Sequence, residues 1–129
     1  MRDNVRSGAL TEVTFFILLA LYEPRHGYGV MQFVEDKTEG RLVLGAGSLY
    51  GALNTLGKKG WIRPAKEDDE RRKCYEITPQ GRQIAEKELT RLRKLTALAE
   101  EIIEKPAAEL RKQADGEEQC RTEEKQEQD

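Results

Sequence analysis

A mainly α fold with one small β-hairpin follows from three features of the 129-residue chain. Apolar residues recur at helical spacing over two early stretches, FFILLAL from Phe15 and the set Val30, Phe33, Val34. A third amphipathic stretch from Gly45 stops at Lys58-Lys59-Gly60, and two short β-type runs around a charged turn follow it at once. Beyond Thr78-Pro79, apolar residues repeat every seven positions to about Ile103, with charges between them. Helix, helix, helix, ribbon and long helix, in that order, form a winged helix-turn-helix extended by a C-terminal helix.

The composition narrows the classes. Charged residues make up 36% and aromatics 6%, too polar for a chain buried throughout. The longest apolar run, Phe15 to Leu21, has seven residues, against roughly 20 needed to span a bilayer. The start, MRDNVRSGALTE, mixes acid and base without an apolar stretch, so neither a signal peptide nor a membrane anchor is expected. Cys74 and Cys120 lie far apart in unlike surroundings, so no structural disulfide is expected and a cytoplasmic setting is the default. Net charge is −2, but it is divided. Residues 1–103 carry 17 Lys and Arg against 15 Asp and Glu, or +2, and residues 104–129 carry 5 against 9, or −4. Any nucleic-acid reading must therefore rest on where the charges sit.

Residues 1–9 read as a loose arm. Thr11 caps a first helix running to about Tyr22, with Glu12 in its first turn and Pro24 beyond its end. This helix is apolar on nearly every side, so it is a central core helix or has one side against a partner subunit. His26-Gly27-Tyr28-Gly29 leads into a second helix that ends at Gly40. No second histidine exists, which excludes a multi-histidine metal site and leaves His26 a structural role. Arg41 to Leu44 reads as a short extended piece, a minor strand beside the hairpin.

The third helix sorts cleanly by angle. With 100° per residue, Leu49, Ala52, Leu53 and Leu56 fall within about 60° of one direction. Gly47, Gly51, Asn54 and Lys58 lie opposite, with Tyr50 at the edge. An interior glycine costs a helix about 1 kcal/mol against alanine, but Gly51 on the outer face allows close approach to a groove floor. The hairpin follows. Pro64 marks Trp61 to Lys66 as an edge strand, and the returning strand, Arg71 to Ile77, puts Tyr75 and Ile77 on one side and Cys74 and Glu76 on the other. Arg71, Arg72 and Lys73 form a compact cation cluster suited to phosphate contacts, opposed by Glu67-Asp68-Asp69-Glu70 at the tip.

Thr78 caps the last helix, with Pro79 at its first position. Leu92 and Ala99, and Leu95 and Ile102, each repeat at seven residues, flanked by Leu89, Leu98 and Ile103. The seam spans under three heptads and would be completed by a partner's first helix, or would fold back on its own domain. Pro106 breaks the pattern, and the remainder reads as an acidic tail. The expected organisation is an arm (1–9), a DNA-binding winged helix-turn-helix (10–78), a dimerisation helix (79–104) and a charged tail (105–129). No Ser-His-Asp or Cys-His arrangement, phosphate loop or metal cluster is evident in the sequence, so the expectation is no catalytic residue, no metal and no cofactor.

Over residues 10–103 the pieces FFILLAL, HGYG, GSLYGALNTLGKKGWI and RRKCYEITPQGR resemble the PadR family of bacterial winged-helix transcriptional regulators in order and spacing. The resemblance implies a homodimeric DNA-binding repressor, with each C-terminal helix packed on the partner's N-terminal helix. It places DNA contacts at Ser48, Tyr50 and Asn54 of the third helix, at Arg71, Arg72 and Lys73 of the wing, and at Tyr28 against the backbone or the third helix. The angular sort adds Gly51 and Lys58. Phe15, Phe16 and Leu19 would meet Leu89, Leu92, Leu95, Ala99 and Ile102 across a dimer. The implied partners are double-stranded DNA with inverted-repeat half-sites about one helical turn apart, a second copy of the chain, and a small-molecule effector, with no membrane. The chain departs from the pattern at Gly51, where the family often has proline, and at Cys74, where it often has tyrosine. Some relatives bind aromatic compounds at the dimer interface, but no Trp, Tyr or Phe stands between Pro79 and Glu104 to stack on one. The competing expectation is a winged-helix module for protein contacts without DNA binding, favoured by the acidic hairpin tip.

Overall fold

A computed structural model describes residues 8–65 and 73–105. Its elements are α1 (Glu12–Ala20), β1 (Arg25–His26), α2 (Gly27–Lys37), α3 (Ala46–Lys58), β2 (Ile62–Pro64), β3 (Cys74–Ile77) and α4 (Pro79–Ile103). Two compact units are distinguished, Met1–Arg91 and Leu92–Asp129. The first holds every element through the first half of α4. The second holds the last turns of α4.

In the first unit, α1 begins at Thr11, whose hydroxyl oxygen accepts the Thr14 amide at 3.1 Å and so satisfies one of the helix's open donors. Ile17, Leu18, Ala20 and Leu21 are wholly buried, and α2 contributes Val30 and Val34 to the same core. The core face of α3 is Leu49, Ala52, Leu53 and Leu56, each at most 5% exposed, the four residues that the angular sort grouped. Ile62 and Ile77 close the core from the strands. Beyond α3, Gly60 takes a φ of 81°, a left-handed conformation that glycine adopts without strain.

The sheet has three antiparallel strands in the order β1-β3-β2, with Arg25 opposite Tyr75, His26 opposite Cys74, and Ile62 opposite Ile77. β2 is therefore an edge, consistent with Pro64. The third strand corrects one expectation. Arg41 to Leu44 is not a strand; Arg25–His26 is. The Thr38 hydroxyl donates to the Val34 carbonyl at 2.8 Å and accepts from the Leu42 amide at 3.1 Å. That ties the segment after α2 into a turn around Glu39 (φ 53°) and Gly40 (φ 82°), with the Leu42 amide already engaged.

Two glycines mark where elements press together. A β-carbon on Gly27, at the start of α2, would lie 2.4 Å from the Tyr50 hydroxyl oxygen. A β-carbon on Gly81, in the first turn of α4, would lie 2.1 Å from the Trp61 carbonyl oxygen. Thr78 fixes that second junction. Its hydroxyl donates to the Gly60 carbonyl at 2.6 Å and accepts the Gly81 amide at 3.0 Å, and its own amide donates to the Trp61 carbonyl at 3.0 Å. In the second unit the helix exposes Leu95, Leu98, Ile102 and Ile103, the last at 74%.

Candidate nucleic-acid interface

The outer face of α3 is built by exclusion. Its four leucine and alanine positions turn inward, so Gly47, Ser48, Tyr50, Gly51, Asn54, Gly57 and Lys58 are left exposed. Two grooves flank this face. One, of about 560 Å³, runs between α3 and the strands and is lined by Tyr50, Asn54, Gly57, Lys58, Arg63, Pro64, Lys73 and Tyr75 with the apolar floor of Leu53 and Ile62. The other, of about 490 Å³, lies between α3 and the start of α1 and is lined by Thr11, Val13, Gly47, Ser48, Gly51, Ala52 and Thr55.

The expected DNA-contact residues divide between these grooves. Tyr50, Asn54, Lys58 and Lys73 converge on the first. Ser48 and Gly51 line the second. A β-carbon on Gly51 would meet nothing within 4 Å, so that stretch of helix surface is open to close approach. Tyr28 stands apart on α2, 59% exposed, its hydroxyl accepting from the Gln32 amide nitrogen at 3.2 Å. Arg71 and Arg72 lie outside the described residues, as do the four acids of the hairpin tip. Tyr50 is half exposed at 49%, yet its ring end rests on Gly27. It therefore holds α3 against the start of α2 as well as edging the groove.

Arg63 was missed in the sequence. It lies on β2, lines the first groove, and its Nε donates to Glu76 Oε2 at 2.9 Å across the sheet. The signal was available: alternation along Ile62-Arg63-Pro64 turns Arg63 away from the buried Ile62. Among the described residues, Lys58 of α3, Arg63 of β2 and Lys73, just before β3, give the groove three cations, and Glu76 fixes the direction of one of them. A carboxylate-held guanidinium beside an asparagine-bearing helix presents donors and acceptors of the kinds that phosphate oxygens and base edges can bond.

A second omission concerns His26 and Cys74. The sequence offers no Cys-His arrangement by spacing, because 48 positions separate the two; the β1–β3 register sets them opposite one another, with Cys74 Sγ 3.3 Å from His26 Nδ1. His26 occupies the N-cap position of α2 without a side-chain bond to that helix. Among the described residues no group of three or more His, Cys, Asp or Glu could hold a metal ion, and no helix is long and apolar enough to cross a membrane.

The residues expected at a dimer contact have mixed environments. Phe16 packs on the core. Phe15 and Leu19 are half-buried, as are Leu92 and Ala99. Leu89, Leu95 and Ile102 are exposed at 42%, 52% and 58%.

Comparison with known proteins agrees with this architecture. A transcriptional regulator from Clostridium thermocellum is 25% identical, over 80% of this chain and 98% of its own, with a TM-score of 0.62. The PadR family transcriptional regulator from Eggerthella lenta is 20% identical, over 79% of this chain and 88% of its own, with a TM-score of 0.63, a likeness of fold. The transcriptional regulator BldR from Sulfolobus solfataricus is 25% identical, over 83% of this chain and 72% of its own, with a TM-score of 0.57. A 37.1 kDa protein in transposon TN4556 of Streptomyces fradiae is 36% identical over 86 residues, which is 66% of this chain; the match spans 24% of that protein's length. The family model of the transcriptional regulator PadR-like family matches residues 17–87, more than half of the chain. The family consists of transcriptional regulators rather than enzymes, and its role implies DNA binding. The chain belongs to the PadR-like family of transcriptional regulators.

Proposed function

We propose that the chain is a homodimeric, sequence-specific repressor that binds an inverted-repeat operator and is released by a small molecule or another signal. The observation that carries the DNA half is the groove between α3 and the strands, where Asn54 stands among Lys58, Arg63 and Lys73. Asparagine can bond an adenine edge with both its donor and its acceptor, while the three cations suit the flanking phosphates. α3 would lie in the major groove, with Ser48 and Gly51 on its close-approach side and Tyr28 against the backbone. Residues 10–78 would form the DNA-binding unit and 79–104 the dimerisation helix.

The dimer half rests on the apolar residues that α4 leaves to solvent, above all Leu95, Leu98, Ile102 and Ile103. A helix with such a stripe gains stability by covering it. Covering by the Phe15–Leu19 side of a second copy would give the two-fold symmetry that an inverted repeat mirrors. The test is analytical ultracentrifugation with a binding assay on the DNA upstream of the protein's own gene. A dimer mass and tighter binding to two half-sites about one turn apart than to one are expected. A monomer at micromolar concentration would contradict the dimer. Co-purification of another protein without any DNA shift would favour the protein-contact module.

A further inference from the structure

We propose that Cys74, with His26 as its proton acceptor, is a site of oxidation by hydrogen peroxide, and that the sulfenic acid formed there weakens DNA binding. The second clause rests on the DNA-binding reading above; the first does not. The thiol is one half of a built pair. Its sulfur lies 3.3 Å from Nδ1 and 3.8 Å from Nε2 of the chain's one histidine. The two residues are directly opposed across β1 and β3, so the strand register holds the contact. Cys74 is half-buried, within reach of a small oxidant, and Lys73 beside it is exposed. An imidazole partner is a surrounding that favours a thiolate.

The step balances. His26 Nδ1 takes the S–H proton, and the sulfur attacks one peroxide oxygen. The S–O bond forms as the O–O bond breaks, so the sulfur is oxidised by two electrons and the peroxide reduced. The departing hydroxide takes the proton from the imidazolium and leaves as water, giving Cys–SOH.

The position gives the oxidation a consequence. An oxygen added on the His26 side does not fit into a 3.3 Å sulfur–nitrogen contact and would part the pair, and one added on any other side replaces the thiol proton shared with His26. β1 is joined to β3 by two residue pairs, and His26–Cys74 is one of them. His26 is also the N-cap of α2, and the next residue, Gly27, carries the Tyr50 ring of α3. Oxidation at the foot of the hairpin thereby disturbs the junction that orients the groove-lining helix.

The test treats the full chain with hydrogen peroxide, traps sulfenic acid with dimedone and follows both cysteines by peptide mass spectrometry. Cys74 is expected to label at least ten times faster than Cys120. His26→Asn, which keeps a residue suited to capping α2, should bring Cys74 down to the rate of Cys120 without altering helical content by circular dichroism. Equal labelling of the two cysteines in the wild type would overturn the site, as would a rate indifferent to a folded His26→Asn. If that variant does not fold, the wild-type ratio decides alone. In the binding arm, oxidised protein should lose at least tenfold in affinity for upstream DNA, and Cys74→Ala treated alike should not. Full affinity with Cys74 labelled would overturn the regulatory half. Absence of DNA binding before oxidation would count against the DNA-binding reading and leave the labelling ratio to judge the thiol.

Discussion

The Tyr50 hydroxyl oxygen lies 2.4 Å from where a β-carbon on residue 27 would stand, and the ring carbon bearing it lies 2.6 Å away. The bare backbone of Gly27 is therefore the surface on which α3 is held against α2. Gly27→Ala must push the tyrosine ring out or part the helices. The expected loss is about 1 kcal/mol, the low end for overpacking, because the half-exposed ring can turn outward, and it is read from urea unfolding. Gly27→Ala with Tyr50→Ala should be less destabilised than the two single losses added together, because the clash is shared. Additive losses would mean that the contact does not set the junction.

Gly81 meets a harder wall. There the close neighbour is the Trp61 carbonyl oxygen, with Ile77 Cγ1 at 2.7 Å from the same notional β-carbon. A backbone oxygen bonded to the Thr78 amide cannot swing aside as a side chain can. Gly81→Ala is expected to cost about 3 kcal/mol or more, the upper end for overpacking, and to lower the thermal midpoint further than Gly27→Ala does. A smaller loss than at Gly27 would contradict the packing order described here.

Asn54 and Arg63 line one groove but should fail differently. Arg63→Ala removes a cation, so binding should weaken on all sequences alike and the salt dependence should fall by about one unit of slope. Asn54→Ala should shift base preference at one position by about 1–3 kcal/mol, with the salt slope unchanged. Competition binding against a set of single-base operator variants separates the two. Identical behaviour would place the DNA surface elsewhere.

Glu88 is 3% exposed, and both its oxygens are bonded to Arg91, at 2.9 Å from Nε and 2.6 Å from Nη2. The bond raises the Arg91 pKa above its ordinary value. Arg91→Leu leaves a buried carboxylate without its guanidinium and should lower the thermal midpoint clearly. Glu88→Leu with Arg91→Leu should recover most of the loss, since an apolar pair carries no desolvation cost. A double variant as unstable as the single would show that the pair does not account for the burial.

The sequence reveals periodic features far better than unique contacts. The core face of α3 could be assigned residue by residue, because four positions sharing one direction at 100° spacing must turn inward together. Thr78 as a cap and Pro64 at an edge were legible for a different reason: a threonine directly before Pro79 suits a helix start, and a proline inside a β-type run suits an edge. β1 was not legible, since Arg25–His26 is too short to alternate and its hydrogen-bonding partner lies about 50 positions away. The roles of Gly27 and Gly81 depend on what approaches them, which no pattern in the chain announces. Arg63 was within reach of alternation, but Pro64 beside it drew the reading to the strand's edge rather than its face.

Specific DNA binding by the α3 face is the central proposal. The direct measurement is fluorescence anisotropy of the purified protein on its own upstream DNA and on a scrambled duplex of equal length, repeated as salt is raised. Upstream DNA should be bound roughly 10³-fold or more tightly at physiological salt, with both affinities falling as salt rises. Equal affinity for the two duplexes at every salt concentration would contradict it.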